Sequence, residues 1–142
     1  MILLDTNVLS ELMRPQPNPV VVAWVDANSD AALVSAITQA EISLGIALLP
    51  EGKRRDGLAS AARQLFDEDL AGRCLPFDSV AAGRFVPIVA ERRRLGRPIT
   101  TQDAQIAAIA LANGIPLATR NARDFEGIPA LELIDPWVTA IA

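Results

Sequence analysis

The stretch MILLDTNVLSEL places a carboxylate, a hydroxyl and an amide (Asp5, Thr6 and Asn7) directly behind four apolar residues. Three further acids stand at comparable junctions: Glu41 in SAITQAEISLGI, Asp103 in TTQDAQIA, and Asp124 in ATRNARDF, the last close to Thr119 and Asn121. Acids, hydroxyls and amides at the ends of apolar runs are the materials of a hard-cation site or of general acid–base chemistry. Histidine is absent from all 142 residues, which removes Ser-His-Asp and Cys-His nucleophile pairs, His-ligated zinc and imidazole proton transfer. The one cysteine, Cys74, excludes an internal disulfide and any multi-cysteine zinc or iron–sulfur site. Its position beside an apolar run predicts core packing. Asp and Glu are left as the chemically active groups, and their oxygens suit Mg²⁺ or Mn²⁺.

Thirteen Lys and Arg against 17 Asp and Glu give a net charge of −4, which argues against gripping nucleic acid by bulk attraction. The basic residues are nevertheless clustered, as Lys53-Arg54-Arg55 and as Arg92-Arg93-Arg94 with Arg97. Each cluster reads first as a solvated helix surface and second as a set of phosphate contacts. No apolar run reaches the length needed to span a bilayer, and the N-terminus lacks the basic region and apolar core of a signal peptide. The expectation is a cytoplasmic chain forming one domain over residues 1–142. Hydrophobic residues make up 51% of it, a surplus that points to oligomer or partner contacts.

The elements that must position the acids follow from apolar spacing and stop signals. MILL reads as a short buried strand, and VLSELM as two helical turns halted at Arg14-Pro15, because the residue before proline avoids helix. Asn18-Pro19 opens a second helix, and AALVSA forms a second strand. ITQAEISLGIALLP, with Ile42, Ile46 and Leu49 at helical spacing, forms a helix ending at Pro50. Residues 53–69 form a charged amphipathic helix, and 73–77 a third strand cut short by Pro76. Asp78 caps a long helix to about Leu95. Thr100 or Thr101 opens a helix closed by Gly114, IPLAT is a fourth strand and LELI a fifth. Strands that are apolar throughout and alternate with helices predict an α/β fold with a parallel sheet covered on both faces.

Ligands of such sheets bind beyond the carboxyl ends of the strands. Asp5 follows strand one, and Glu41 begins the helix after strand two. Asp103 begins the helix that runs antiparallel into strand four, and Asn121 and Asp124 follow that strand. Each has a bland explanation. Thr38-x-x-Glu41 and Thr100-x-x-Asp103 have the shape of capping boxes, Asp5 can cap the first helix, and Asp124 can sit in an Asx-turn. Capping does not require four acids to converge on one rim, however. Converging carboxylates raise one another's pKa unless a cation neutralises them, so the pattern predicts a divalent metal site with Thr6, Asn7, Thr119 and Asn121 orienting the ligands.

Taken together, LLDTNVLSEL, SAITQAEISLGI, TTQDAQIAAIALANGIPLATRNARDFEGI and the final DPW resemble PIN-domain ribonucleases, in family order and over nearly the whole chain. The likeness is to the VapC/FitB-type toxins of toxin–antitoxin pairs. It implies a three-layer α/β/α sandwich and an Mg²⁺- or Mn²⁺-dependent endoribonuclease that leaves a 3′-hydroxyl and a 5′-phosphate. It also implies a toxin homodimer held by a cognate antitoxin. Asp5, Glu41 and Asp103 match the family's acidic positions. The fourth acid falls either where this chain has Asn121 or at Asp124, and Asp124 carries the charge.

Two rival readings are weighed against this one. An Asp-nucleophile phosphatase wants a second acid two residues after the first, where this chain has Asn7. A non-catalytic module whose acids only cap helices and dock a partner remains the alternative from another class.

Overall fold

The computed structural model describes residues 1–138, so the last four residues of the expected domain lie outside it. Five short parallel strands, β1 (Ile2–Leu4), β2 (Ala32–Ser35), β3 (Cys74–Leu75), β4 (Leu117–Ala118) and β5 (Leu133–Ile134), form one sheet in the order β3-β2-β1-β4-β5. The central strand pairs Leu3 with Leu33 on one side and with Leu117 on the other. Side chains of a strand alternate between faces, and two separate cores result. Leu3, Leu33 and Leu117 pack under helices α5 (Ser79–Arg94) and α6 (Thr101–Asn113), with Ile88, Ile106 and Ile109. Leu4, Val34 and Ala118 face the opposite layer, built from α1 (Thr6–Leu12), α2 (Pro19–Ala27), α3 (Ala36–Ala47) and α4 (Lys53–Gln64), with Val8, Leu9, Val21 and Ile42. Sheet and two helical layers make the expected α/β/α sandwich.

Local chemistry sets the helix bounds. Asn18 caps α2 by accepting the Val20 N–H, with Pro19 in the first turn. Asp78 caps α5 through the Ala81 N–H. Gly114, with φ of 63°, ends α6; the Ile115 N–H reaches back to the Ala110 carbonyl and the Gly114 N–H to that of Leu111, the paired bonds of a Schellman motif. α6 is buried almost all round, at Ala104 and from Ile106 to Ala110. Its alanines let it lie between the sheet and α5, as a helix apolar on every side must.

Three details depart from the sequence expectation. The helix after β1 starts at Thr6 rather than Val8, because Asp5 itself is its cap. A single helical turn, α7 (Ala122–Phe125), follows β4, anchored by the buried Phe125. Cys74 is exposed instead of packed in the core. It sits on the sheet's edge strand, its Sγ 3.4 Å from the Gln39 side-chain oxygen.

The burial pattern makes a stability prediction. Leu3→Ala, at a position with no exposure in the central strand, should lower unfolding free energy by about 2–5 kcal/mol. Glu51→Ala, at an exposed position beyond α3, should change it by less than about 0.5 kcal/mol. Urea titrations of the two variants check this.

Candidate active site

The chain runs outward from β1 to β2 and β3, then returns to the far side of β1 with β4. The sheet order therefore reverses between β1 and β4, where open parallel sheets leave a crevice at their carboxyl edge. Asp5 leaves β1 at that point and Thr119 leaves β4, and their side chains meet.

Asp5 is 4% exposed. Its Oδ1 accepts the Thr6 N–H at 2.8 Å, which caps α1, and its Oδ2 accepts the Thr119 hydroxyl at 2.7 Å. The Asn7 amide also donates to Oδ2, at 3.3 Å. A hydroxyl has one proton, so Thr119, having given its own to Asp5, must accept the Asn7 amide and the Asn121 N–H that reach its oxygen. Asn7 is oriented in turn by the Arg120 N–H on its Oδ1. Even with these donors, burial pushes the Asp5 carboxyl from the usual 3.8 up to about 6; Thr119 and Thr6 pull it down, and the charges of Asp103 and Glu41 push it up.

Glu41 is held by a second set of hydroxyls. Thr6 donates to its Oε1 at 2.8 Å, so the 2.9 Å contact between Thr6 and Thr38 must run from Thr38, and the Ser35 hydroxyl in turn faces Thr38. One line of donors thus runs Ser35, Thr38, Thr6, Glu41. This replaces the expected capping box: Ser35, not Thr38, caps α3 by accepting the Thr38 N–H, and Glu41 lies a turn further along with its carboxylate pointed away from the backbone. Asp103 does begin α6, capped by the Thr100 hydroxyl on its N–H. Burial raises its carboxyl above the usual range, the Thr100 hydroxyl opposing, and the charges of Asp124 and Glu41 add to the rise.

Asp5, Glu41 and Asp103 line one cleft together with Thr6, Asn7 and Asn121. Asp124 stands close enough for its charge to act on Asp103. It lines an adjoining cleft that shares Asp103 as its common wall, and there Arg92 is its neighbour. Arg92 belongs to a cluster read as solvated surface, yet it is 7% exposed and donates to the carbonyls of Asp124 and Glu126, both at 2.9 Å. Helical rotation turns Arg92 inward and leaves Arg93 and Arg94 outside. Buried Glu11 was also missed. Its carboxylate accepts the Asn18 N–H and the Arg14 guanidinium, and these, with the charges of Arg14 and Arg120, hold it below the usual carboxylate range. Nothing in the spacing of Glu11 separates it from a solvated helix residue.

Among the described residues no three acids already close around one point as a finished metal cage would. The donor chemistry nonetheless fits a hard divalent cation. The described salt bridges join Glu11 to Arg14 and Glu91 to Arg94, and none involves Asp5, Glu41 or Asp103. Mg²⁺ commonly takes only one or two protein carboxylates and keeps waters or substrate phosphate for the rest.

The cleft at the β1/β4 reversal is rimmed by acids from three elements, and residues 2–131 match the PIN domain family. The chain belongs to that family, within its VapC/FitB branch. It is 42% identical to the VapC ribonuclease Y4jK of Sinorhizobium fredii, over 99% of this chain and 100% of that protein. It is 41% identical to Toxin FitB of Neisseria gonorrhoeae, over 96% and 99%. The crystal structure of FitAcB from Neisseria gonorrhoeae superposes with a TM-score of 0.88 at 41% identity, covering 98% of this chain and 100% of that one.

The Asp5 environment predicts a pH signature. With a folded pKa raised above the unfolded value, the folded protein holds a proton that the unfolded chain has lost between about pH 4 and 6. The stability tied to that proton is present below this window and lost as pH rises through it. Asp5→Asn has no such loss. In EDTA its stability relative to the parent should therefore rise by about 3 kcal/mol between pH 3.5 and 7. Paired urea titrations measure the difference, and a flat difference contradicts the account.

Proposed function

We propose that the chain is the toxin of a toxin–antitoxin pair and acts as a divalent-metal-dependent endoribonuclease hydrolysing RNA phosphodiester bonds. The observation that carries the reading is the buried, unpaired Asp5 carboxylate facing Glu41 and Asp103 in one cleft. The ribonuclease and toxin names of relatives above 40% identity support it.

Asp5 and Asp103, with Glu41, would hold Mg²⁺ or Mn²⁺, and Asp124 joins them as an outer acid steadied by Arg92. When bound, the cation supplies Lewis acidity, making a water a better nucleophile and offsetting charge on the phosphorus oxygens. The chain's own groups do the rest. Thr119 and Asn7 fix the rotamer of Asp5, and Thr6 fixes Glu41 by one oxygen. Without histidine, a carboxylate is the side chain available to take the proton of the attacking water. Glu41 suits this because its Oε2 has no hydrogen-bond partner among the described residues. Attack in line breaks the P–O3′ bond, leaving a 5′-phosphate and a 3′-oxygen that takes its proton from solvent.

One PIN domain over residues 1–142 accounts for the chain, with a cognate antitoxin as partner. Exposed Leu44 on α3 with Leu48 at its C-terminal cap, and Val80 and Val86 on α5, supply apolar surface for a homodimer and for that partner. No helix among the described residues is long and apolar enough to cross a membrane. The site of action is the cytoplasm.

Purified, antitoxin-free protein should cleave a mixed pool of structured RNA with Mg²⁺ or Mn²⁺ and stop in EDTA, and Asp5→Asn and Asp103→Asn should each abolish cleavage. Folded parent protein that neither cleaves RNA nor binds Mn²⁺ would instead leave a partner-binding module. Thr119→Val, which removes the donor that orients Asp5 together with the acceptor of the Asn7 amide and the Asn121 N–H, should cost about 10–100-fold in activity or apparent Mn²⁺ affinity. Calorimetry with Mn²⁺ beside initial-rate assays reads both.

A further inference from the structure

The DPW segment has so far no part in the chemistry. Asp135 Oδ1 accepts the Trp137 N–H at 2.9 Å, and Pro136 is buried, which fixes the turn. Trp137 packs against the core beneath α1–α4. Over its ring lies Arg120, with the guanidinium carbon 5.1 Å from the ring centroid, within cation–π range. The backbone of Arg120 is pinned independently, its N–H donating to Asn7 Oδ1 at 3.3 Å. Both residues line the cleft of Asp5, Glu41 and Asp103.

Two cations line that cleft. Arg14 is committed, bonding both Glu11 oxygens at 3.0 Å. The Arg120 guanidinium makes neither a salt bridge nor a hydrogen bond among the described residues. A cleft lined by four carboxylates, Glu11 beside Asp5, Glu41 and Asp103, repels a polyanion, so an RNA strand needs a positive group beside it that no salt bridge among the described residues has neutralised. A guanidinium laid on an aromatic face keeps its N–H edge free for a bidentate grip on phosphate oxygens, and the stacking pre-orders its long side chain. A lysine in the same place would bring charge without the fork or the planar stack.

We propose that Arg120, held over Trp137 by the DPW turn, is the RNA-phosphate-binding residue of the cleft, gripping the backbone beside the scissile bond while the acids serve the reacting phosphate. This rests on the ribonuclease reading. Trp137 acts through Arg120 as a positioning residue.

The test measures kcat/KM for cleavage of the mixed structured-RNA pool at saturating Mn²⁺ and several salt concentrations. Mn²⁺ calorimetry and melting temperatures are recorded alongside. Arg120→Ala should lose about tenfold in kcat/KM, mainly through KM, as expected for one charge-assisted hydrogen-bonded contact. Its slope of log(kcat/KM) against log salt should shrink by roughly one, the signature of one phosphate contact removed. Arg120→Lys should keep the slope while losing part of the rate. Trp137→Leu should weaken KM with the slope retained. Mn²⁺ affinity and melting temperature should not move in the Arg120 variants. An unchanged slope in Arg120→Ala, with the parent cleaving normally, overturns the proposal and leaves the nuclease reading standing. A loss of Mn²⁺ affinity or melting temperature that parallels the loss of rate overturns it in favour of a structural role. A parent that cleaves no RNA overturns it together with the reading beneath it.

Discussion

The structure depends on burying one unpaired carboxylate at the carboxyl end of its central strand. Asp5 has no cationic partner among the described residues, and its three donors do not restore what water would supply. Leaving an ionised group in that position costs free energy, as its raised pKa records. A fold selected for stability alone has no use for it. The placement makes sense if something positively charged arrives from outside, because a bound cation turns the cost into binding energy.

The surroundings of Asp5 are arranged to keep it fixed and not to neutralise it. Thr119 reaches it from β4, Thr6 and Asn7 from α1, and the hydroxyl line from Ser35 through Thr38 and Thr6 fixes Glu41 against the same helix. Neutral donors orient a carboxylate without cancelling its charge. The arginines at the margins serve backbone or other acids: Arg92 holds the carbonyls at the end of α7 and Arg14 holds Glu11. Strand order, helix caps and hydroxyl pairing thus all bring negative charge to one crevice and leave Asp5, Glu41 and Asp103 without a salt bridge among the described residues.

The sheet, its parallel sense and most helix bounds were legible because they depend on local signals. Apolar runs mark strands, Asn18-Pro19 and Asp78 mark helix starts, and Gly114 marks an end. Placement of Asp5, Glu41 and Asp103 at one cleft followed from topology, since residues at helix starts and strand ends share an edge. The features that escaped depend on contacts far apart in sequence. Thr38 and Glu41 have a capping-box spacing that Ser35 pre-empts, and Glu41 is claimed by Thr6 instead, 35 residues away. Arg92 is buried because α7 offers it two carbonyls some 30 residues on, and local spacing cannot show this. Cys74 is exposed because β3 turns out to be the edge of the sheet. Asp124, weighed against Asn121 for the fourth position, stands on the single turn of α7 and lines the neighbouring cleft with Asp103 as the shared wall.

The most direct test of the account is anomalous diffraction from crystals of this protein grown or soaked with Mn²⁺. The account predicts a single strong peak in the crevice between β1 and β4, bounded by the carboxylates of Asp5, Glu41 and Asp103, and its loss in Asp5→Asn crystals. A parent crystal with no peak there, or with one unaffected by removing the Asp5 charge, would contradict the claim that these acids are assembled to hold a cation.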